Sequence, residues 1–413
     1  MKILYVVHQF LPLHVAGTEI YAYHLAKEMR RRGQDARVFY VEWREGKPPY
    51  HLEERTYREI PCFEAVPGDW AKDFRGTYMN PGMEKLFREV LDRFPPDLVH
   101  IQHLANHSIG YLDILEELGI PSVYTLHEYL LMCPGGGRLL RPGLELCPGP
   151  EPAACAACAK AAGLPPPAGG DWEKAVERRK EEIVQRLAKV NLFLSPSRYL
   201  RKRFVEAGWI PSSRILASDN GFPAEIFHKA RRRKREVFHL GYIGTMVAHK
   251  GVHVLVEACR GLPEKEFLCS IHGDLNVVPE YGQRLRKMDK SPCVRLMGAY
   301  DHQRVGEILA DLDVAVVPSL WVENSPLTIH EAFLAGVPLL VSDIGGMAEL
   351  VPPGRGGLQF KTGDPEDLRE KILLLHKDRK LLQRLRETIP QVKTIQQDAR
   401  DMEDRYRSLL DPR

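Results

Sequence analysis

The sequence predicts an α/β protein made of two doubly wound domains, and three observations predict it. At 413 residues the chain exceeds the roughly 250–300 residues at which a single core stops growing. From residue 2 onward, apolar runs with strand character alternate with segments of helical spacing. Midway, at the polar run "KARRRKRE" (Lys229 to Glu236), the alternation stops, and then it restarts. A hydrophobic content of 44% and a charged content of 27% are ordinary for a soluble globular chain. The net charge of +3 builds no field for a polyanion, so no nucleic-acid partner is expected.

"KILYVV" reads as the first buried strand. Its apolar run is too short for a signal-peptide core. "GTEIYAYHLAKEMRRRG" carries Ile20, Tyr23, Leu25, Ala26 and Met29 at helical spacing, with Thr18 as a cap and Gly33 as the stop. "DARVFYV" is the next strand, and strand–helix–strand within ~40 residues is a βαβ unit with a parallel sheet. "DLVHIQH" and "PSVYTLHE" are further strands, followed by helix "DWEKAVERRKEEIVQRLAKV" and strand "NLFLSPS". The second half repeats the pattern. Strands fall at "EVFHLGYIG", "EFLCSIHGD", "CVRLMG", "VAVVPS" and "PLLVSD", with helices between them, one running from Ser325 to Ala335. The tail from Pro365 to Leu410 is helical in pattern, broken at Pro390. The expected domains are 1–222, a linker at 223–236, 237–390, and a final helix at 391–413. Two such domains would face each other across a cleft, with ligands at the carboxyl ends of the strands.

Four segments carry candidate chemistry. "WVENSPLTIHEAFLAGVP" sets Glu323 and Glu331 around Ser325-Pro326, which suit a helix cap and first turn, with Gly336 as the stop. The N–H groups of the segment Asn324, Ser325, Pro326, Leu327 would form an anion site. Two carboxylates beside it would accept from sugar hydroxyls. Phosphate on amides and sugar on glutamates describe a nucleotide sugar; the alternative is an exposed Glu331 on a surface helix. "GTMVAHKG" presents Lys250 after a strand, either against a diphosphate or simply solvated. In "HVAGTE", Gly17 allows close approach of a phosphate to the backbone. The motif lacks the full G-x-G-x-x-G pattern, so it does not read as dinucleotide-binding. His127 ends the strand "SVYTLH", where it could hydrogen-bond a sugar or serve structure alone.

These motifs together resemble the retaining glycosyltransferases of the GT-B fold, family four, over nearly the whole chain. The landmarks in order are "AGTE", "TLHE", "LSPS", "NGF", "GYIG…HKG", "VVPSLWVENSPLTIHEAFLAGVPLLVSDIGG" and the helical tail. The resemblance implies a GT-B architecture of two Rossmann-like domains, with the last helix crossing back to the first. It also implies transfer of a hexosyl or N-acetylhexosaminyl group from a UDP- or GDP-sugar to a sugar or lipid-linked acceptor, with retention and without a catalytic metal. Glu331 would bind the donor ribose, and Glu323 would lie by the transferred sugar. Lys250 would neutralise the diphosphate, Gly17 would approach it, and His127 would contact the donor sugar. Met297 and Val317 would flank the base. Glu323, His127 and Lys250 form the expected catalytic set, and Glu323 is not a nucleophile in that scheme. One departure is Thr245, where the family often has arginine; Arg295 is one candidate substitute. The competing readings are a GT-B epimerase or phosphorylase, and a non-catalytic nucleotide-sugar or metal/redox-sensing protein.

Cys133, Cys147, Cys155 and Cys158, spaced C-x13-C-x7-C-x2-C in a Gly- and Pro-rich insert, suit zinc or an iron–sulfur cluster. The alternatives are reduced thiols or two disulfides. Basic clusters at Arg30 to Gly33, Arg198 to Phe204 and Arg231 to Arg235 are either solvated or face an anionic bilayer. No apolar run approaches ~18 residues. The expected location is the cytoplasm; the alternative adds peripheral contact at the inner face of the membrane.

Overall fold

The computed structural model describes residues 1–68, 71–227, 236–288 and 291–411. The basic run Arg231 to Arg235 and most of the linker candidate lie outside the described residues. Two compact units form: Met1–Phe222 together with Lys393–Arg413, and Pro223–Val392.

The first unit holds strands β1 (Lys2–Val7), β2 (Asp35–Val41), β3 (Leu52–Tyr57), β4 (Ile60–Ala65), β5 (Leu98–Ile101), β6 (Ser122–Thr125), β7 (Leu192–Ser195) and β8 (Ile215–Ala217). Their order is β3-β4-β2-β1-β5-β6-β7-β8. Every pairing is parallel except β3 with β4. Ile3 to Val7 are fully buried, because a central parallel strand is covered on both faces. The β3–β4 hairpin was not legible in the sequence. "LEERTY" is largely polar and exposed, as befits an edge strand that must not recruit another chain.

The helix Ile395–Leu410 belongs to this first unit. It opens with a capping box at Thr394 and Gln397. Tyr21 Oη donates to Asp398 Oδ2 at 2.9 Å, and Tyr406 Oη lies 3.3 Å from Tyr5 Oη. Gly221 permits this approach, since a Cβ there would sit 2.5 Å from Asp398 Cβ and 2.7 Å from Thr394 O.

The second unit holds β9 (Phe238–Ile243), β10 (Phe267–His272), β11 (Val294–Gly298), β12 (Val314–Val317), β13 (Leu339–Ser342) and β14 (Gly357–Phe360). The order β11-β10-β9-β12-β13-β14 is parallel throughout. It is the doubly wound order, reversing between β9 and β12. In the first unit the reversal falls between β1 and β5. Ligands of such sheets bind outside the carboxyl ends of the strands at that reversal, so the two reversals are where functional side chains should gather.

Three local expectations are corrected. The helix after β12 spans Leu327–Leu334, with Pro326 at the cap and no side-chain cap bond, so Ser325 is not its capping residue. Thr18 lies inside the helix Gly17–Arg31, whose cap position is Ala16. The second half of the cysteine insert is not loop but a helix, Pro152–Ala161, capped by the Glu151 carboxylate. Its Cys155, Ala156 and Ala159 pack with Phe74 and Val176 in a small core of their own. Among the described residues no helix is long and apolar enough to cross a membrane.

Candidate functional site

In the second unit, the chain leaving β9 forms the turn Gly244 to Gly251, and the chain leaving β12 forms Pro318 to Pro326. Both lie at the reversal point. Leu320 N donates to His249 O at 2.8 Å, which ties the two segments together. Gly251 has φ +70, and a Cβ there would fall 1.8 Å from Pro318 O, so only glycine allows this approach.

Lys250 Nζ donates to Glu323 Oε2 at 2.9 Å and lies 5.6 Å from the centroid of the Trp321 ring. The Ser319 hydroxyl donates to Glu323 Oε1. Glu323 is 5% exposed, and a buried polar group costs free energy unless it finds such hydrogen-bond partners. Its backbone is fixed as well, because Gly346 N donates to Glu323 O at 2.6 Å. Glu331 is 6% exposed, so it is not an exposed helix residue. Its Oε1 meets His302 Nε2 at 2.8 Å. That hydrogen bond, ahead of burial working the other way, raises the His302 pKa. The carboxylates thus face different partners, Glu323 a lysine and Glu331 a titratable imidazole.

The remaining donor-side candidates are spread along the same unit. Thr245 is exposed and its carbonyl accepts from Tyr242 Oη at 2.9 Å. Asn324 is buried and Val317 is 5% exposed, whereas Met297 on β11 is 55% exposed. Ser325 and Leu327 flank Pro326 at the helix start. Arg295 does not replace the missing arginine. It sits near the start of β11, donating to the Pro292 and Val294 carbonyls and to Glu264 Oε1, while Thr245 follows the carboxyl end of β9.

In the first unit, three adjacent strands deliver polar side chains at their carboxyl ends: His8 after β1, Gln102 and His103 after β5, His127 and Glu128 after β6. The helix Gly17–Arg31 adds Gly17 as its first residue and Glu19, 1% exposed, in its first turn. His8 Nε2 lies 3.1 Å from Glu19 Oε1, and His103 Nε2 lies 3.2 Å from Glu128 Oε1. The His8 and His103 rings are 4.1 Å apart. His127 Nε2 meets Gln102 Oε1 at 2.7 Å, and its ring lies 5.5 Å from that of Tyr21. Burial lowers the His8 pKa, helped by His103, and lowers that of His127 further. Burial is the largest single influence and works to raise Glu19, but the His8 hydrogen bond, the His8 and His103 charges and its own backbone N–H together outweigh it, and its pKa falls. Near pH 7 His8 and His127 are therefore neutral imidazoles beside ionised Glu19.

Sequence reasoning missed His8, Glu19, Gln102, His103 and Glu128 here, and Ser319, Trp321, His302 and Gly346 in the second unit. The signal that singled out His127, a histidine at a strand's carboxyl end, applies equally to His8 and His103.

The eight cysteines are free thiols. Cys133, Cys147 and Cys158 all act on Cys155, whose pKa is pushed up to about 11, first by burial and then by its neighbours. The four thus share one neighbourhood. Among the described residues, however, no group of three or more His, Cys, Asp or Glu side chains is placed to hold a metal ion, and no step below runs through one. In the two basic clusters among the described residues, several arginines are spent on structure. Arg30, Arg31 and Arg32 pair with Asp35, Glu28 and Glu403. Arg201 and Arg203 donate to the carbonyls of Ile215, Ser212 and Pro148.

Two reversal-point sites on two Rossmann-like sheets define a GT-B protein, and the chain belongs to glycosyltransferase family 4. That family's model matches residues 15–225, and the model for glycosyl transferases group 1 matches 223–392. Among curated proteins, the chain is 25% identical over 210 residues to the amylovoran biosynthesis glycosyltransferase AmsK of Erwinia amylovora, covering 48% of this chain and 51% of that one. It is 32% identical over 164 residues to the N,N'-diacetylbacillosaminyl-diphospho-undecaprenol alpha-1,3-N-acetylgalactosaminyltransferase of Campylobacter jejuni, covering 40% and 42%. The chain thus spans about half the length of these two relatives. Among solved structures, Anabaena HepE in complex with UDP and glucose superposes with a TM-score of 0.67 at 16% identity, over 99% of this chain and 100% of that one.

Proposed function

We propose that the protein is a retaining glycosyltransferase that moves a hexosyl or N-acetylhexosaminyl group from a UDP- or GDP-sugar to the hydroxyl of a sugar or lipid-linked acceptor, in polysaccharide, glycolipid or glycoconjugate synthesis. The observation that carries this is the buried pair Glu323 and Glu331, set around the start of the helix Leu327–Leu334 with Lys250 held at 2.9 Å. A cation, a helix start and two buried carboxylates at one reversal point match a diphosphate with a sugar on each side. The complexed HepE and the relatives' names support the same reading.

In this reading Lys250 exchanges Glu323 for the donor diphosphate and stabilises the charge that builds on it as the glycosidic bond breaks. The backbone N–H groups of Asn324 and Leu327 add to that stabilisation. Glu323, freed on one oxygen, accepts from hydroxyls of the transferred sugar, which His127 also contacts. Glu331 takes the ribose hydroxyls, and Gly17 lies by the diphosphate. Met297 and Val317 flank the base, Met297 with a side chain exposed enough to cover it. A donor phosphate oxygen takes the acceptor proton, so no protein base is required. The spacing and shared neighbourhood of Cys133, Cys147, Cys155 and Cys158 support a separate proposal, a structural zinc or iron–sulfur cluster, which plays no part in these steps.

A thermal-shift screen of UDP-, GDP- and ADP-sugars tests the donor, because a ligand that binds only the native state raises stability by mass action. One nucleotide class should stabilise the wild type, and Glu331→Ala should lose most of that shift. An unchanged shift in Glu331→Ala would remove the ribose assignment. Release of UDP or GDP only in the presence of acceptor would separate transfer from epimerisation.

A further inference from the structure

We propose that His8, Glu19 and Gln102 of the first unit form a site for the hydroxyls of a sugar ring, walled by the His103–Glu128 pair, and that the ring is the acceptor's. The proposal deepens the transferase reading above and rests on it for the word acceptor.

Three side-chain atoms at this corner are buried without a hydrogen-bond partner: His8 Nδ1, Glu19 Oε2 and Gln102 Nε2. Glu19 and Gln102 are each 1% exposed, and a buried polar atom left unpaired is destabilising. Three together at the carboxyl ends of β1 and β5 and the first turn of the helix between β1 and β2 call for a ligand.

The partners fix what each atom does. Glu19 is ionised, so His8 presents its Nε2–H to Oε1 and its Nδ1 is an acceptor. Gln102 Oε1 receives His127 Nε2–H, which leaves the Gln102 amide group as a donor. The unsatisfied set is two acceptors and one donor. An anion would require donors only, and a metal ion acceptors only. A hydroxyl both donates and accepts, so adjacent sugar hydroxyls can donate to His8 Nδ1 and Glu19 Oε2 while one accepts from Gln102 Nε2. The surroundings are fixed. Ala105 N donates to His103 Nδ1 at 3.0 Å, which turns Nε2–H toward Glu128, and the His103 ring lies against that of His8. Flat rings beside polar atoms suit a sugar, which has an apolar C–H face and a polar edge. The transferred sugar's hydroxyls are already assigned to Glu323 and His127, which leaves this set for the acceptor.

The test uses the full-length protein carrying [13Cε1]-histidine. The His8 and His103 signals are assigned through His8→Gln and His103→Gln, and glucose, galactose, mannose and N-acetylglucosamine are titrated with and without UDP. At least one free sugar should move both signals. Glu19→Gln and, separately, Gln102→Leu should weaken that binding by about tenfold or more, with circular dichroism confirming that each variant is folded. Three results overturn the proposal: no free sugar moves either signal, the shifts survive both variants, or only UDP- and GDP-sugars move them, which would put the transferred sugar here. The thermal shift that nucleotide sugars produce, and that Glu331→Ala should lose, reads the donor assignment. It should persist in Glu19→Gln, so loss of the donor reading and loss of this site are distinguishable.

Discussion

Replacing Gly346 with alanine should damage the Glu323 segment without touching a charged group. Gly346 N donates to Glu323 O at 2.6 Å. A methyl group on Gly346 would lie 1.5 Å from Asn324 O and 2.4 Å from Asn324 C, and Cβ contacts below 3.0 Å essentially never occur. Backbone has no rotamer to swing away, so residues 323 and 324 must retreat by about 1.5 Å (3.0 − 1.5). Overpacking costs about 1–3 kcal/mol, and the lost hydrogen bond adds about 1. At about 2–4 °C per kcal/mol for a unit of this size, Tm should fall by roughly 5–15 °C. A misplacement near 1 Å costs on the order of 100-fold in rate, so kcat/KM with the nucleotide sugar found in the screen should fall at least that far. Gly336→Ala is the control. It has φ +71 and nothing within 4 Å of its Cβ site, so it strains one backbone position and displaces nothing near the site. If Gly346→Ala keeps its Tm and its kcat/KM within about threefold of wild type, the segment is not held by this packing and the reasoning fails.

Three further outcomes are expected. His302 has a pKa raised above its usual 6.5, so the stability its charge contributes is complete below that value and is lost as pH rises through the raised one. Over the same window donor KM should fall as Glu331 is released, and His302→Gln should flatten the profile; parallel profiles for the two proteins would sink the idea. Asp398 is fully buried and accepts from Tyr21 Oη, Gly221 N and Lys393 Nζ, so Asp398→Ala should cost about 3 kcal/mol in urea unfolding. A loss under about 1 kcal/mol would show that the last helix is held by its apolar face alone. Metal analysis of protein purified without oxygen should find about one zinc per chain, lost in Cys155→Ser/Cys158→Ser; finding neither zinc nor iron rules the cluster proposal out.

The sequence by itself determined the two doubly wound units, because each strand–helix alternation is a local pattern of apolar spacing. Glu323, Glu331 and Lys250 were legible for a related reason: each sits next to a strand end or helix start that the same pattern locates. Edge elements were not legible. β3 is too polar to show strand periodicity, and the Pro152–Ala161 helix is mostly alanine and cysteine, with no amphipathic contrast. What only the tertiary structure decided is which side chains share partners. Nothing local says that Lys250 spends its charge on Glu323, that His302 reaches Glu331, or that Arg295 is occupied elsewhere. His8, Glu19 and Gln102 are separated by as many as 94 positions (102 − 8), and their common corner exists only because β1 and β5 pair at the sheet's reversal point. Periodicity records which face a residue buries, while partner choice depends on which strands become neighbours, and that is set by the whole chain.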